Sequence, residues 1–318
     1  MTVAPLKVGF IGVGTMGAGM ANNLQKNGFE LVVNDVNQQS ASRFVSAGAV
    51  WAPTPRQVAE QSDLVFTSLP GPAEVEAVAM GENGLFEGMQ PGTAYFDLST
   101  SSPTLIRKIA AEYAKKGIVA LDAPVSGVPA GAASGQMAIW VGGNREMFDK
   151  HKHVLDGFSD AAFYVGPVGA GAVAKLVHNC MGYIATAGLA EVFTMGVKAG
   201  VEPLAIWEAV RQGALGRRGI FERLVDQFLV NKYDPPAFAL RLAHKDMTLA
   251  TNLGREVKVP MRLANLALEE MTEALNRGWG QRDSRSMMLL QQERAGVEIQ
   301  VDPARIKAVL DGEKAKQG

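Results

Sequence analysis

Three stretches of this 318-residue chain carry residue types at spacings that chemistry can use. Gly12-Val13-Gly14-Thr15-Met16-Gly17 closes an apolar run and opens a helical pattern. In such a turn Gly12 allows the tight bend, Gly14 lets a pyrophosphate approach the backbone, and Gly17 lets helix and strand pack closely. A phosphate would then meet the N–H groups of a helix N-terminus. Asp35 ends the next apolar run, 21 residues beyond Gly14. A carboxylate there accepts hydrogen bonds from both ribose hydroxyls and repels a 2′-phosphate, so the spacing predicts NAD(H) in preference to NADP(H). Arg43, the nearest downstream arginine, reads as too far along to clamp a phosphate. The bland alternative is a glycine-rich turn with a solvated Asp.

The second stretch is Asp122-Ala123-Pro124-Val125-Ser126-Gly127, just after another apolar run. A serine hydroxyl followed by glycine N–H groups can cradle a small anion such as a carboxylate. Pro129–Gly135 continues it as a small-residue loop, and taken alone the segment also fits an ordinary turn. The third stretch, Gly169–Asn179, sets Lys175 and Asn179 four residues apart, on one helix face. Small apolar neighbours surround them. The lysine either snorkels to solvent or is held at a cleft, where partial desolvation would bring it into range for proton transfer.

Positioning these residues takes a scaffold, and the first half of the chain supplies one. Leu6–Gly12, Glu30–Asp35, Leu64–Leu69, Ala94–Leu98 and Ile118–Asp122 are short apolar runs separated by helical patterns such as Thr104–Lys116. That alternation predicts an α/β fold with a parallel sheet covered on both faces. Met137–Val141 and Ala162–Val165 extend the sheet. After the breaker cluster Gly166-Pro167-Val168-Gly169 the strand signals stop. A long helix is predicted over Ala170–Ala199, then helices at Pro203–Arg211, Lys245–Arg255, Leu263–Arg277, Asp283–Ala295 and Pro303–Leu310. The expected division is 1–167 for a dinucleotide-binding domain, 168–300 for an all-α substrate and oligomerisation domain, and 301–318 for a C-terminal helix and tail.

Composition narrows the class. Net charge is −1, with 20% charged residues, which leaves no electrostatic footprint for nucleic acid and no polybasic face for a membrane. The 47% hydrophobic content suits a globular core. The most apolar stretches, Phe10–Ala21 and Cys180–Ala190, are shorter than the ~18 residues of a membrane span. The N-terminus shows no signal-peptide pattern. Cys180 is the one cysteine, so neither an internal disulfide nor a structural zinc site is available, and a cytoplasmic location is expected. The four histidines show no metal-ligand spacing, and no metal is assigned.

Together the fingerprint at Gly12–Gly17, the Asp122–Gly127 segment, Gly169–Asn179 and His244-Lys245-Asp246 resemble the β-hydroxyacid dehydrogenases, a family that includes 3-hydroxyisobutyrate dehydrogenase and tartronate semialdehyde reductase. The resemblance runs from about residue 6 to residue 296. It implies a Rossmann-type doubly wound sheet followed by an all-helical domain, and interconversion of a β-hydroxy acid with its semialdehyde or keto acid. By the same resemblance Lys175 is the general acid and base and Asn179 positions it and the substrate. Ser126 and Gly127 receive the substrate carboxylate. Leu69-Pro70, Thr100 and Lys245 contact the cofactor, as do Gly12, Val13, Gly14, Thr15, Met16, Gly17 and Asp35. Phe238 and Asp246 lie beside Lys245. Family members also suggest a homodimer or homotetramer, which the small residues Gly182, Gly188 and Gly196 along the long helix would permit.

Two departures bear on the substrate. The family usually has Ser-Gly-Gly where this chain has Ser126-Gly127-Val128, which exchanges a backbone-approach position for an apolar wall. Arg217-Arg218 stand where small or hydroxyl residues are common. They either clamp a second anion on the substrate or form a solvated surface pair. Other readings on the same architecture are an inactive NAD-binding sensor, an imine reductase, and a dehydrogenase of sulfonated or aromatic hydroxy acids.

Overall fold

The computed structural model describes residues 6–198, 200–213, 222–256 and 261–317. The chain divides into two compact units, 1–177 and 178–318.

The first unit holds nine strands: β1 (Lys7–Ile11), β2 (Glu30–Asn34), β3 (Val50–Trp51), β4 (Leu64–Thr67), β5 (Ala94–Asp97), β6 (Val119–Asp122), β7 (Val125–Ser126), β8 (Ala138–Gly142) and β9 (Ala161–Gly166). Its helices are α1 (Gly17–Lys26), α2 (Gln38–Ser46), α3 (Pro55–Glu60), α4 (Pro72–Met80), α5 (Leu85–Gly88), α6 (Pro103–Ala114), α7 (Val128–Ser134) and α8 (Arg145–Leu155). α9 (Ala170–Lys198) begins in this unit and continues into the second. There follow α10 (Pro203–Arg211), α11 (Leu240–Glu256), α12 (Arg262–Asn276), α13 (Met288–Ala295) and α14 (Pro303–Gln317).

The sheet order is β3-β2-β1-β4-β5-β6-β8-β7, with β9 beside β8. β1 to β6 pair parallel, so their carboxyl ends share one edge. The chain reverses direction across the sheet between β1 and β4, which is where ligands of open α/β sheets bind. Side chains alternate across the pleat. Phe10, Phe66 and Phe96 face α1, α2 and α8 through Met20, Leu24, Phe44 and Leu155. Ile11, Val65 and Tyr95 face α3, α4 and α6 through Val58, Val75, Ile109 and Tyr113.

Helix starts follow local chemistry. Asn37, Thr54, Ser102 and Asn144 each accept a first-turn N–H of the helix they precede. Proline stands at the first positions of α3, α4, α6 and α10, where its missing N–H costs nothing.

The structure corrects the sequence reading in four places. The expected parallel sheet is mixed at one side, because β8 runs antiparallel to β6 and β7. The two-residue strands β3 and β7 are too short for a periodic signal. Pro129–Gly135, expected as a loop, lies within or caps α7. Pro129 presets the first turn there, three alanines continue it, and Gly135 ends it at φ +76°. The single helix expected over Asp283–Ala295 is a 3₁₀ turn, Ser284–Met287, followed by α13.

Phe66 lies at the middle of the ring cluster, 6.1 Å from Phe10, 5.6 Å from Phe96 and 5.5 Å from Phe158. Phe66→Ala should lower the unfolding free energy by about 3–5 kcal/mol, the usual cost of an aromatic-sized cavity, read from denaturant unfolding. A loss well below 1 kcal/mol would mean that Phe66 does not anchor the core between the sheet and α1, α2 and α8.

Candidate functional site

The three glycines of the turn after β1 do three different things. Gly12 has φ +87°, and a Cβ there would lie 2.3 Å from the Ser68 carbonyl oxygen. A Cβ on Gly17 would lie 1.8 Å from the Gly12 carbonyl oxygen, so helix and turn close without side chains between them. Gly14 has open space where its Cβ would be, and Gly14 and Thr15 are exposed. The first turn of α1 carries no acidic residue. An anion at this helix start therefore meets N–H groups and the positive end of the helix dipole.

Asp35 follows β2 and is half-buried. One carboxylate oxygen accepts the Val13 N–H at 2.8 Å and the other accepts the Asn37 N–H at 2.8 Å. The acid thus braces the glycine turn itself, and each oxygen keeps a lone pair for a ribose hydroxyl. A groove of about 710 Å³ is lined by Val13, Gly14, Thr15, Asn22, Ser40 and Arg43 together with Pro129 and Ala133 of α7. Arg43, set aside on spacing, lines this groove, its guanidinium 4.6 Å from the Phe44 ring. The open position at Gly14, the unopposed helix start and the braced acid together fit a dinucleotide.

Leu69-Pro70 follow β4, and Thr100 follows β5, at the same sheet edge. A chain of hydrogen bonds lies beneath them. The Leu69 N–H donates to Ser99 Oγ at 2.9 Å, and Thr67 Oγ1 donates to Asp97 at 2.9 Å. Asp97 also accepts the Ser99 N–H at 3.0 Å and the Ser99 hydroxyl. Burial pushes the Asp97 carboxyl from its ordinary 3.8 up to about 6, against these hydrogen bonds and with the charge of Asp122 adding to the rise.

Asp122 ends β6 and is 2% exposed. Its two oxygens accept the N–H groups of Gly169 at 2.6 Å and Ala172 at 2.7 Å, at the start of α9. Burial raises its pKa, and the backbone donors at Gly169 and Ala172 oppose the rise. The sequence reading treated Asp122 as the first letter of an anion-binding segment. It missed this capping role because the partners lie 47 and 50 residues away.

Ser126 and Gly127 lead from β7 directly into α7, which is fastened to α1 by a 2.9 Å bond from Asn23 Nδ2 to the Ala132 carbonyl. Val128 has φ +52° and is 52% exposed. A β-branched residue rarely adopts that left-handed backbone. This chain keeps the glycine-type conformation at Val128 while carrying an isopropyl group.

Lys175 lies in the second turn of α9, half-buried, with its ammonium 6.0 Å from the centre of the Trp140 ring. Asn179 is one turn further along. Its Nδ2 donates to Asp246 Oδ2 at 2.6 Å, and Lys245 Nζ lies 2.9 Å from Asp246 Oδ1. Asp246 is 2% exposed, and it ties the candidate Asn179 to the candidate Lys245. The Asn179 amide nitrogen is thereby fixed on Asp246. Asp283, fully buried, accepts the N–H groups of Ala237 and Phe238 and so fixes the backbone beside Phe238. Only the Lys245-Asp246 dipeptide hinted at the first of these acids, and nothing local signalled the second. Cys180 is buried, which raises its thiol pKa. Arg217 and Arg218 lie outside the described residues.

Comparison with known proteins adds family context. Residues 7–166 match the model for the NAD binding domain of 6-phosphogluconate dehydrogenase. Residues 169–290 match the model for the NAD-binding domain of NADP-dependent 3-hydroxyisobutyrate dehydrogenase. The chain is 34% identical to a 2-(hydroxymethyl)glutarate dehydrogenase of Eubacterium barkeri, over 92% of this chain and 97% of that protein. It is 33% identical to an NAD-dependent L-serine dehydrogenase of Pseudomonas aeruginosa, over 87% and 95% respectively. The crystal structure of a 3-hydroxyisobutyrate dehydrogenase from Salmonella typhimurium superposes with a TM-score of 0.79 at 28% identity, covering 90% of this chain and 99% of that one.

Two predictions come from this geometry. Val128→Gly relieves a left-handed backbone at a β-branched residue, offset by the greater chain entropy of glycine. It should raise the unfolding free energy by about 1 kcal/mol, and a loss of stability would refute the strain. Asp97 binds its proton more tightly folded than unfolded, so its contribution to stability is full below about pH 4 and is lost as pH rises through about 6. Relative to the wild type, Asp97→Asn should therefore gain about 3 kcal/mol between pH 4 and 7 in denaturant titrations. A pH-independent difference would show that Asp97 does not titrate in this range.

Proposed function

The chain belongs to the 3-hydroxyisobutyrate dehydrogenase-type β-hydroxyacid dehydrogenases, and from that premise we propose that it interconverts a β-hydroxy acid and its semialdehyde or keto acid with NAD(H). The observation that carries the reading is the α9 lysine, Lys175, in the chain that also holds the braced fingerprint turn at Gly12–Gly17. Asp35 and the name of the NAD-dependent serine dehydrogenase relative both support NAD over NADP. Bound NAD would supply the hydride acceptor, and NADH the donor.

In this reading the chain's own residues bind, orient and move a proton. The Ser126 hydroxyl and Gly127 N–H donate to the substrate carboxylate. Lys175 Nζ donates a proton to the carbonyl oxygen during reduction and accepts it back from the hydroxyl during oxidation. Its charge stabilises the alkoxide as it develops. Asn179, held by Asp246, accepts a hydrogen bond at its carbonyl oxygen and so orients the lysine or the substrate hydroxyl. Lys245, Leu69, Pro70 and Thr100 hold the cofactor with Gly12, Val13, Gly14, Thr15, Met16, Gly17 and Asp35. Residues 1–167 serve the dinucleotide, 168–300 the substrate and oligomerisation, and 301–318 form the terminal helix and tail.

The substrate carries a second anionic group in this proposal, received by Arg217-Arg218. The glutarate in the name of the Eubacterium relative supports this, since that molecule has two carboxylates. Val128 adds an apolar wall next to the carboxylate-binding pair. Exposed Val177 and Met181 with Gly182 and Gly188 on α9 suit a second copy of the chain, giving a homodimer or homotetramer. Among the described residues no helix is long and apolar enough to cross a membrane, and the lone Cys180 suits a cytoplasmic protein.

A panel of 3-hydroxyisobutyrate, serine, glycerate, threonate and 2-(hydroxymethyl)glutarate with NAD⁺ and NADP⁺ tests the reading. Lys175→Ala should lower turnover of the best substrate about 10²-fold or more, while NADH binding persists. Undiminished turnover in that variant would remove Lys175 from the reaction.

A further inference from the structure

Two buried carboxylates sit side by side at the sheet edge, and the reaction scheme above uses neither. Asp97 and Asp122 end the neighbouring strands β5 and β6 and are register partners. They are 1% and 2% exposed. Burying a carboxylate is costly, so a position that keeps one needs what only a carboxylate offers. Each of these acids accepts from several donors at once. An asparagine in either place would turn an NH₂ toward an N–H or O–H donor.

Their donors belong to different parts of the candidate site. Asp97 holds Ser99 by its N–H and hydroxyl, and Ser99 Oγ in turn receives the Leu69 N–H. The segments fixed this way are Leu69-Pro70 and Ser99-Thr100. Asp122 holds the N–H groups of Gly169 and Ala172, and a Cβ on Gly171 would meet the Trp140 carbonyl oxygen at 2.1 Å. The start of α9 therefore has no lateral slack, and the next turn carries Lys175 over the ring of that same Trp140.

We propose that Asp97 and Asp122 are positioning residues with separate tasks: Asp97 sets the strand-end segments that meet the cofactor, and Asp122 sets the helix that aims Lys175. The inference rests on the dehydrogenase reading above. Neither acid touches the reacting atoms. Each acts through the backbone it holds.

The two tasks have different kinetic signatures. The experiment compares wild type, Asp97→Asn and Asp122→Asn by NADH fluorescence titration, by kcat at saturating cofactor, and by thermal unfolding. Asp97→Asn should weaken NADH binding about fivefold, the effect of one lost hydrogen bond, with kcat within about twofold. Its stability at pH 7 should not fall in step, because it no longer buries a charge. Asp122→Asn should lower kcat about tenfold or more, as a small misplacement of a proton donor does, with the NADH Kd within about twofold.

If both variants change Kd and kcat together, in proportion to their loss of thermal stability, both acids are merely structural and the proposal falls. If either variant leaves its assigned quantity unchanged, that assignment falls. Should Asp122→Asn not fold, Gly171→Ala keeps both carboxylates and displaces the same helix start. It must give the kcat-only signature, and a change in Kd alone would overturn the assignment. Wild-type protein that neither binds NADH nor turns over any hydroxy acid would remove the dehydrogenase reading itself, an outcome visible before any variant is made.

Discussion

The start of α9 is held by a carboxylate from another element. The first N–H groups of any helix lack partners within that helix. Here Asp122, at the end of β6, takes those of Gly169 and Ala172. Hydrogen bonds to a charged acceptor contribute about 1.5–3 kcal/mol each and are aided by the helix dipole. They offset the desolvation that raises the Asp122 pKa. The arrangement also demands small residues around it. A Cβ on Gly142 would lie 2.6 Å from an Asp122 carboxylate oxygen, and one on Gly171 would strike Trp140. The catalytic candidate Lys175 is placed by this joint, because a helix whose first turn is fixed has little freedom in its second.

The same sheet edge carries the other candidates of the first unit, and the cause is topological. Parallel strands send all their carboxyl ends one way. The fingerprint turn follows β1, Asp35 follows β2, Leu69-Pro70 follow β4, Thr100 follows β5, and Ser126 lies just past β6. The strand order places β1 next to β4 and β4 next to β5, so residues far apart in sequence become neighbours. Each segment is then fixed by an acid or hydroxyl at its root: Asp35 for the glycine turn, Ser99 and Asp97 for Leu69, Asp122 for α9.

The second unit repeats this use of buried acids. Asp246 joins Asn179 of α9 to Lys245 of α11, and Asp283 fixes the backbone at Ala237 and Phe238. An ionised carboxylate only accepts, and does so through two oxygens, so one buried acid can orient two donors from different elements at once. Val128 uses the opposite device. Its left-handed backbone is set by the sharp entry into α7 and is kept despite a β-branched side chain. Strain of this kind is held at a half-exposed position beside Ser126 and Gly127, where the side chain adds little packing of its own.

Much of this was legible in the residues. Gly12, Gly14 and Gly17 carried their separate reasons in their spacing; Gly12 has a positive φ, Gly17 leaves no room for a Cβ against the turn, and Gly14 stands beside open space. The apolar runs of the first half became β1, β2, β4, β5 and β6, and the breaker cluster at Gly166–Gly169 precedes α9. These signals are local: periodicity of two or 3.6, a proline, a capping side chain, a glycine at a bend. Lys175 and Asn179 share a helix, so their four-residue spacing was enough to set them one turn apart. What the residues could not declare was who answers whom across the chain. Nothing near Asp122 announces Gly169 and Ala172, nothing near Asp97 announces Leu69, and Arg43 looked remote until α2 turned it toward the groove. The antiparallel reversal at β8 and the helical form of α7 were decided the same way, by which neighbour offered a backbone partner or a packing face. Local pattern determines which elements form. A buried polar group must find its partner wherever folding brings one, and only the tertiary structure settles that pairing.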